Sequence, residues 1–207
     1  MTFDNFTGYV LAGGKSSRMK TDKAFLRFGD ETFLSRAIKT LEIFGANPVK
    51  VVLNQTQTNF IERLPDHVPH IFDRYENRGA IGGIHAALTD CPSEWAIILA
   101  VDLPCVTSEA IKTLVRIAFS SKDLSAIVPV QTDGRPQPLC AAYLVKDCLP
   151  KLENLLKKSV SASVKDFLKL VPVSFVAQNE LAFGNGGDLF YNVNEPDEYK
   201  SMIDSIV

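Results

Sequence analysis

The chain has 207 residues, of which 46% are hydrophobic and 22% charged, with a formal net charge of −2 and an isoelectric point near 5.9. These values are typical of a folded globular protein the size of one α/β domain, and they argue against disorder and against broad nucleic-acid binding, which needs a basic face. The longest apolar run, Trp95 to Val101, is too short for a membrane span, and Met1 to Gly8 shows no signal peptide, so we expect a cytoplasmic protein that binds no membrane.

Along the chain, apolar runs of strand length alternate with stretches of helical periodicity, which predicts βαβ units and a mainly parallel sheet. The predicted strands are Gly8 to Leu11, Val49 to Leu53, His70 to Phe72, Trp95 to Val101, Ala126 to Val130, Leu139 to Leu144 and Val173 to Val176. The predicted helices cover Leu34 to Phe44, Ile111 to Ala118 after the capping residues Thr107 and Ser108, Leu149 to Leu156, Val164 to Leu170, and Pro196 onward. Leu181 to Leu189 is predicted to be a flexible, glycine-containing loop. Since no repeat or linker divides the sequence, we expect residues 1–207 to form a single domain.

Glycine or a polar residue follows each of the first four predicted strands. The first strand precedes Gly13 and Gly14, and the next three end in Asn54, Asp73 and Asp102. In open parallel sheets, ligands bind outside the carboxyl ends of the strands, where loops and helix N-termini converge. The sequence therefore predicts that these residues share one ligand site.

Asp102 directly follows an apolar run that is typical of a central strand buried on both faces. An unpaired charge beside the core is costly, so a carboxylate there favours a metal ion or a cationic partner. The alternative is a turn or helix cap before Leu103 and Pro104. The nearby basic loop favours Mg²⁺, which prefers one or two carboxylates together with phosphate oxygens.

That basic loop follows the glycine pair and combines five cations with one acid, Asp22. The cations are Lys15, Arg18, Lys20, Lys23 and Arg27. Glycines allow close approach of the backbone to a ligand, so backbone amides with Arg18 and Lys23 could surround a triphosphate. The loop matches neither the dinucleotide-binding fingerprint nor the P-loop.

The cysteines and histidines favour no metal centre. The four cysteines form no C-x-x-C pair, and the three histidines lack the spacing of zinc ligands. We therefore expect reduced, mostly buried thiols and no zinc site.

Four segments together resemble the molybdenum cofactor guanylyltransferases. LAGGKSSRMKTDKAFL is similar to the family signature L-A-G-G-x-S-x-R-M-G-x-D-K, and RGAIGGIHAAL resembles its R-G-P-L-A-G segment. VDLP resembles a C-D-x-P metal-binding turn, and NVNEPDEY resembles a closing N-x-N-x-P-x-[DE]. The segments occur in the family's order across nearly the whole chain.

The resemblance implies a three-layer, Rossmann-like nucleotidyltransferase fold with a mainly parallel central sheet, and one such domain over residues 1–207. It assigns GTP binding to Leu11, Ala12, Gly13, Gly14, Lys23, Asn54, Asp73 and Asp102. It places Mg²⁺ on Asp102, and it makes Arg18, Lys23 and Asp102 the residues that support catalysis. The implied reaction is in-line attack of an acceptor phosphate on the α-phosphate of GTP, with pyrophosphate leaving and no covalent intermediate.

The acceptor implied by the resemblance is the molybdenum cofactor, and transient contact with proteins that insert or deliver it is expected. Candidate acceptor residues are Arg78, Arg135, Gln137, Asn192 and Asn194. Alternatively, Arg135 is a solvated turn residue and the two asparagines cap the final helix. The chain departs from the family pattern at Lys20, which replaces glycine, at Ala80, which replaces proline, and at Gln137, where many members have histidine.

Two other classes of function stay open on the sequence alone. The first is a related transferase that uses CTP, or one that activates a sugar or polyol phosphate; the cytidylyl branch tends to have alanine where Gly13 stands. The second is a nucleotide-binding regulator without catalysis, which the presence of both Lys23 and Asp102 disfavours. A glycosyltransferase of similar fold would usually carry Asp-x-Asp, which the sequence lacks.

Overall fold

A computed structural model of the chain describes residues 5–13, 22–42, 48–75, 77–181, 188–193 and 196–204. The strands are β1 Phe6–Leu11, β2 Arg27–Phe28, β3 Glu31–Thr32, β4 Val49–Leu53, β5 His70–Phe72, β6 Trp95–Ala100, β7 Ala126–Val130, β8 Cys140–Leu144 and β9 Val173–Ala177. The α-helices are α1 Phe33–Glu42, α2 Ala80–Asp90, α3 Ser108–Ser120, α4 Val145–Lys158, α5 Val164–Leu168, α6 Gln178–Leu181 and α7 Pro196–Asp204. Two 3-10 helices cover Lys23–Phe25 and Thr58–Arg63.

The central sheet has the strand order β5-β4-β1-β6-β8-β7-β9, and β8 runs antiparallel to both of its neighbours. The chain leaves β1 for β4 on one side and later returns to β6 on the other side. Strand order therefore reverses at β1, and this is the point in open α/β sheets where ligands bind. The prediction of a mainly parallel sheet is confirmed.

Helices cover both faces of the sheet because side chains alternate between the two faces along each strand. Along β6, Ile97 and Leu99 pack into one core with α1 and α3, whereas Ala96 and Ile98 pack into a second core with α2 and α4. The fold is the predicted three-layer α/β arrangement. Among the residues described, none of the helices has the length and apolar character needed to cross a bilayer.

The seven sheet strands lie where the sequence predicts them, with ends that differ by one or two residues. Thr107 caps α3 as predicted, and its side chain accepts a hydrogen bond from the Ala110 N–H at 3.2 Å. Helix α4 begins four residues before the predicted Leu149, directly after β8, and it therefore carries Pro150 in its interior. The four thiols are unpaired as expected, with Cys140 and Cys148 buried and the other two partly buried.

Some elements of the fold were not predicted from the sequence, and one predicted boundary differs. Helix α2 was not predicted, and neither was the β2–β3 hairpin. Leu181, the first residue of the loop predicted for Leu181 to Leu189, is instead the last residue of α6, and residues 182–187 lie outside the described ranges.

Candidate active site

A cleft of about 580 Å³ opens at the carboxyl ends of β5, β4, β1 and β6, which are four adjacent strands. Its size lies within the range of ordinary small-molecule sites. Seven of the residues predicted to bind the nucleotide line it: Leu11, Ala12, Gly13, Lys23, Asn54, Asp73 and Asp102. The four strand ends thus meet at one cleft, and binding of a ligand there stays a prediction.

The end of β1 brings its backbone unusually close to β4. The Ala12 N–H donates to the Val52 carbonyl oxygen at 3.1 Å and so extends the pairing of the two strands by one bond. A Cβ atom at Gly13 would lie 3.3 Å from the Asn54 nitrogen, closer than nearly all such contacts in proteins. Glycine therefore suits this position because the neighbouring backbone occupies the space of a side chain.

At the end of β4, Asn54 uses its side-chain oxygen to order its own loop. Oδ1 accepts hydrogen bonds from the Thr56 N–H at 3.0 Å and from the Thr56 hydroxyl at 2.6 Å. This Asx turn fixes the side chain at the cleft wall and leaves the amide nitrogen as the group that can donate to a ligand.

At the end of β5, the Asp73 carboxylate is held between its loop and the first turn of α2. Oδ1 accepts a hydrogen bond from the Tyr75 N–H at 2.7 Å, and a Cβ atom at Gly82 would come within 2.4 Å of Oδ2. Burial raises the pKa of Asp73, and the Tyr75 N–H opposes part of this rise. A glycine in α2 thus creates the space that the carboxylate occupies.

Asp102, at the end of β6, interacts electrostatically with Lys23 in the cleft. Burial raises the pKa of Asp102, while the positive charge of Lys23 lowers it. The Asp102 carbonyl oxygen accepts a hydrogen bond from the Val193 N–H at 3.4 Å, which joins this turn to the segment before α7. A partly buried carboxylate beside a cation can receive a divalent metal with little rearrangement.

Lys23 is placed by the packing of the short 3-10 helix that carries it. Ala24 is fully buried, and the Phe25 ring packs against the Phe60 ring in a tilted arrangement with their centroids 4.7 Å apart. The Arg63 guanidinium carbon lies 3.2 Å from the centroid of the same Phe25 ring. The short helix that carries Lys23 is therefore anchored on the 3-10 helix Thr58–Arg63.

The donor set of the cleft fits a divalent cation that also binds substrate oxygens. Asp102 lines the cleft, and burial raises its pKa, an effect that a bound cation would reverse. Within the described ranges, no group of three or more histidine, cysteine, aspartate or glutamate residues could enclose a metal. A Mg²⁺ ion here would complete its coordination shell with phosphate and water, as this ion commonly does.

Three of the predicted residues, Gly14, Arg18 and Asn194, lie outside the described residues. Their roles stay predictions from the sequence. The same holds for Lys20, the departure from the family pattern in the basic loop.

The candidate acceptor residues that the structure describes do not line the cleft. Arg78 donates from Nη2 to the carbonyl oxygens of Leu156 and Ser159 at 3.1 and 2.5 Å, so it binds the C-terminal end of α4. Arg135 is exposed, and its Nε lies 2.5 Å from Asp133 Oδ2. Both arginines have local contacts that account for their positions.

The other two candidates are polar side chains close to strand ends. Gln137 is 8% exposed, and its backbone N–H donates to Pro129 at 2.7 Å. Asn192 is adjacent to Val193, which contacts Asp102, and its Oδ1 atom is buried without a hydrogen-bond partner in the structure. A role in acceptor binding stays a prediction for all four residues.

Sequence reasoning missed several residues that line or support the cleft. Tyr75 and Asn77 line it after β5, and Asn77 has a positive φ of 58°. Gln57 is 7% exposed and contacts the loops of both β1 and β4. The Asn77-Arg78-Gly79 turn signal could have marked a tight loop, but the sequence carries no signal for the contacts of Gln57.

A three-layer α/β fold with a cleft of this size at the reversal of strand order, lined by a lysine and by aspartates, is the architecture of a nucleotide-binding enzyme. Residues 8–173 match the family described as the MobA-like NTP transferase domain. The chain therefore belongs to this family of nucleotidyltransferases.

Individual relatives agree with that assignment. A probable molybdenum cofactor guanylyltransferase of Bacillus mycoides is 33% identical over 93% of this chain and 92% of its own length. Molybdopterin-guanine dinucleotide biosynthesis protein A of Archaeoglobus fulgidus superposes with a TM-score of 0.81 at 22% identity, covering 97% of this chain and 98% of the other. The Rv0371c protein of Mycobacterium tuberculosis, solved in complex with manganese, has a TM-score of 0.67 at 18% identity, covering 97% and 99% of the two chains. The two structural likenesses support the fold.

Proposed function

We propose that the protein transfers GMP from GTP to the phosphate of the molybdenum cofactor and releases pyrophosphate. The observation that carries the proposal is the meeting of Lys23 and Asp102 in one cleft with the Gly13 and Asn54 strand ends. The named function of the Bacillus mycoides relative, which aligns over nearly the whole chain, supports the choice of GTP and of this acceptor. The proposal treats residues 1–207 as one nucleotidyltransferase domain that acts in the cytoplasm.

In the proposed reaction, an oxygen of the acceptor phosphate forms a bond to the α-phosphorus of GTP, and the bond from that phosphorus to the bridging oxygen breaks. Pyrophosphate carries away the electron pair of the broken bond. The chain provides no nucleophile, so its contribution is to orient the two phosphates and to neutralise charge as it develops.

Each described residue has a separate part in this proposal. Lys23 stabilises negative charge at the reacting phosphate, and its own charge opposes the rise that burial causes in the pKa of Asp102. Asp102 would hold Mg²⁺, and Asp73, in the same cleft, would contact the nucleotide. When bound, the ion supplies Lewis-acid polarisation of the phosphate oxygens.

The direct experiment is to incubate the protein with Mg²⁺ and molybdenum cofactor and to supply GTP, CTP or ATP separately. Pyrophosphate and a dinucleotide product should form with GTP and should require the acceptor. Product from CTP instead would support the cytidylyl alternative. Binding of GTP with no pyrophosphate under any condition would support the non-catalytic regulator.

A further inference from the structure

One buried side chain, Gln57, stands between the two strand ends that form the centre of the cleft. Its Nε2 donates to the Ala12 carbonyl oxygen at 3.1 Å, and its Oε1 accepts from the Asn54 N–H at 3.0 Å. Both bonded groups belong to residues that line the cleft. Gln57 is 7% exposed, so these bonds are shielded from water.

The position of this amide follows from the hydrogen-bond pattern of a parallel sheet. Strands β1 and β4 pair with Leu11 opposite Val52, and the Ala12 N–H donates to the Val52 carbonyl oxygen at 3.1 Å. In a parallel ladder a residue bonds to partners two apart on its neighbour, so the next bond would join the Asn54 N–H to the Ala12 carbonyl. The amide of Gln57 bonds to those same two groups instead.

The side-chain amide thus takes the place of one peptide-to-peptide bond and bridges the two strands through its own donor and acceptor. This bridge lies where strand order reverses, at the mouth of the cleft. It is also where a Gly13 Cβ atom would meet the Asn54 nitrogen at 3.3 Å and Gln57 Oε1 at 3.7 Å. The spacing of the β1 and β4 loops is consequently set by a side chain.

Gln57 also connects this spacing to the rest of the site. It immediately precedes the 3-10 helix Thr58–Arg63, and the Phe60 N–H donates to the Gln57 carbonyl oxygen at 3.0 Å. Phe60 and Arg63 hold the Phe25 ring beside Lys23. One short segment therefore positions both the nucleotide-binding strand ends and the lysine.

We infer that Gln57 is a positioning residue that sets the width of the nucleotide site between β1 and β4 and so contributes to selection among nucleoside triphosphates. The inference rests on the proposed function for the identity of the preferred nucleotide. It does not depend on the acceptor. Gln57 itself contacts backbone groups of the protein and takes no part in the chemistry.

The first test compares Gln57→Met with the wild-type enzyme in steady-state assays with GTP and with CTP. Methionine has a similar length but offers neither amide bond. KM for GTP should rise by at least about tenfold, equivalent to ~1.4 kcal/mol. We expect kcat to change by less than about threefold and the preference for GTP over CTP to shrink, because positioning in the ground state is lost.

The second variant, Gln57→Glu, keeps the shape of the side chain and distinguishes the hydrogen bond that Gln57 donates from the one that it accepts. A carboxylate can accept from the Asn54 N–H but cannot donate to the Ala12 carbonyl, whereas a protonated carboxyl group does both. Nucleotide affinity, measured relative to the wild-type protein at the same pH, should therefore be low at neutral pH and should recover as the pH falls. A purely steric role would give no such recovery.

Two controls separate positioning from stability. Asn59→Ala changes an exposed residue of the same 3-10 helix and should keep wild-type KM values. Leu114→Ala removes a fully buried side chain of α3, so it should lower the melting temperature without changing KM for GTP well below that temperature.

The inference is overturned if both Gln57 variants retain wild-type KM and nucleotide preference, or if they lose kcat while KM stays unchanged. If neither variant folds, amide hydrogen exchange of the wild-type protein provides the test. The Asn54 N–H should exchange slowly without nucleotide because it donates to Gln57. Fast exchange of this N–H would contradict the hydrogen bond and overturn the inference. A wild-type preference for CTP would contradict the proposed function alone. The Gln57 comparison would then use CTP as the preferred nucleotide.

Discussion

The Asp73 carboxylate occupies the space that a side chain at position 82 would need, because a Cβ atom at Gly82 would lie 2.4 Å from Asp73 Oδ2 and 2.8 Å from Oδ1. Gly82 belongs to the first turn of α2, which follows β5 by a short loop. The Asp73 carboxylate therefore fits at the edge of the cleft only because the neighbouring helix has no side chain at position 82.

Gly82→Ala should weaken nucleotide binding by about tenfold, because the added Cβ atom would displace the Asp73 carboxylate from its place in the cleft. Overpacking of this kind commonly costs roughly 1–3 kcal/mol of stability. Isothermal titration with GTP and Mg²⁺ measures the change. Gly83→Ala is the matched variant, because its Cβ atom would meet Leu11 at 3.5 Å, an ordinary contact distance. A loss of affinity from Gly83→Ala as large as that from Gly82→Ala would show that the contact with Asp73 is not the cause.

Lys23→Ala should reduce turnover on the order of 10²-fold to 10³-fold, as expected when a preorganised charge at a reacting group is removed. Its loss also removes the charge that opposes the raised pKa of Asp102. The residual activity should therefore fall at a higher pH than wild-type activity as the solution is acidified. Pyrophosphate release measured across a pH series tests both effects.

Arg27→Ala is the control for Lys23→Ala. Arg27 belongs to the same basic segment, but its guanidinium group bonds to the carbonyl oxygens of Gly29 and Asp30 at an exposed site. The turnover of the Arg27→Ala variant should stay within about twofold of wild type, as is usual for substitutions at exposed positions. Equal losses from the two variants would mean that the segment acts as a diffuse positive field.

Asp102→Asn should reduce activity at least about 10²-fold, because asparagine keeps the shape of the side chain and removes the charge that would hold Mg²⁺. If Asp102 serves only as a turn residue, asparagine should replace it with little loss. A variant that melts normally and keeps more than about a tenth of wild-type turnover, a loss of ~1.4 kcal/mol, would reject the metal-binding role.

The same variant should also change the pH dependence of stability. Burial raises the pKa of Asp102 in the folded protein above its ordinary value of 3.8, so the folded state binds the proton more tightly than the unfolded state does. The stabilising contribution is complete below pH 3.8 and is lost as the pH rises through the folded-state pKa. Without metal or nucleotide, Asp102→Asn should therefore melt at or above the wild-type temperature near pH 7, and the difference should shrink in acid.

The sequence predicts the strands of the central sheet well because they are short, largely apolar runs, and glycine or a polar residue follows the first four of them. Asn54, Asp73 and Asp102 could be placed in one site by topology alone. Helix α2 escaped prediction because Ile81 to Leu88 is buried on every side and shows no amphipathic period. The contact of Gln57 with Ala12 could not be predicted either, since it joins a side chain to a backbone carbonyl 45 residues away in the sequence.

GTP should stabilise the protein against heat more than CTP does in the presence of Mg²⁺. A ligand that binds only the folded state stabilises it by mass action, about 2.7 kcal/mol at a concentration one hundred times Kd. Melting curves with each nucleotide, with and without Mg²⁺, provide the comparison. Larger shifts with CTP would contradict the guanylyl assignment and leave the fold assignment intact.

The position of the label in the products tests the central claim most directly. GTP labelled at the α-phosphate and GTP labelled at the γ-phosphate are each incubated with the protein, Mg²⁺ and molybdenum cofactor. The proposed reaction predicts that the α-label enters the cofactor product and that the γ-label leaves as pyrophosphate. Transfer of the γ-label to the acceptor, or release of the γ-label as inorganic phosphate with no α-label in the product, would contradict nucleotidyl transfer.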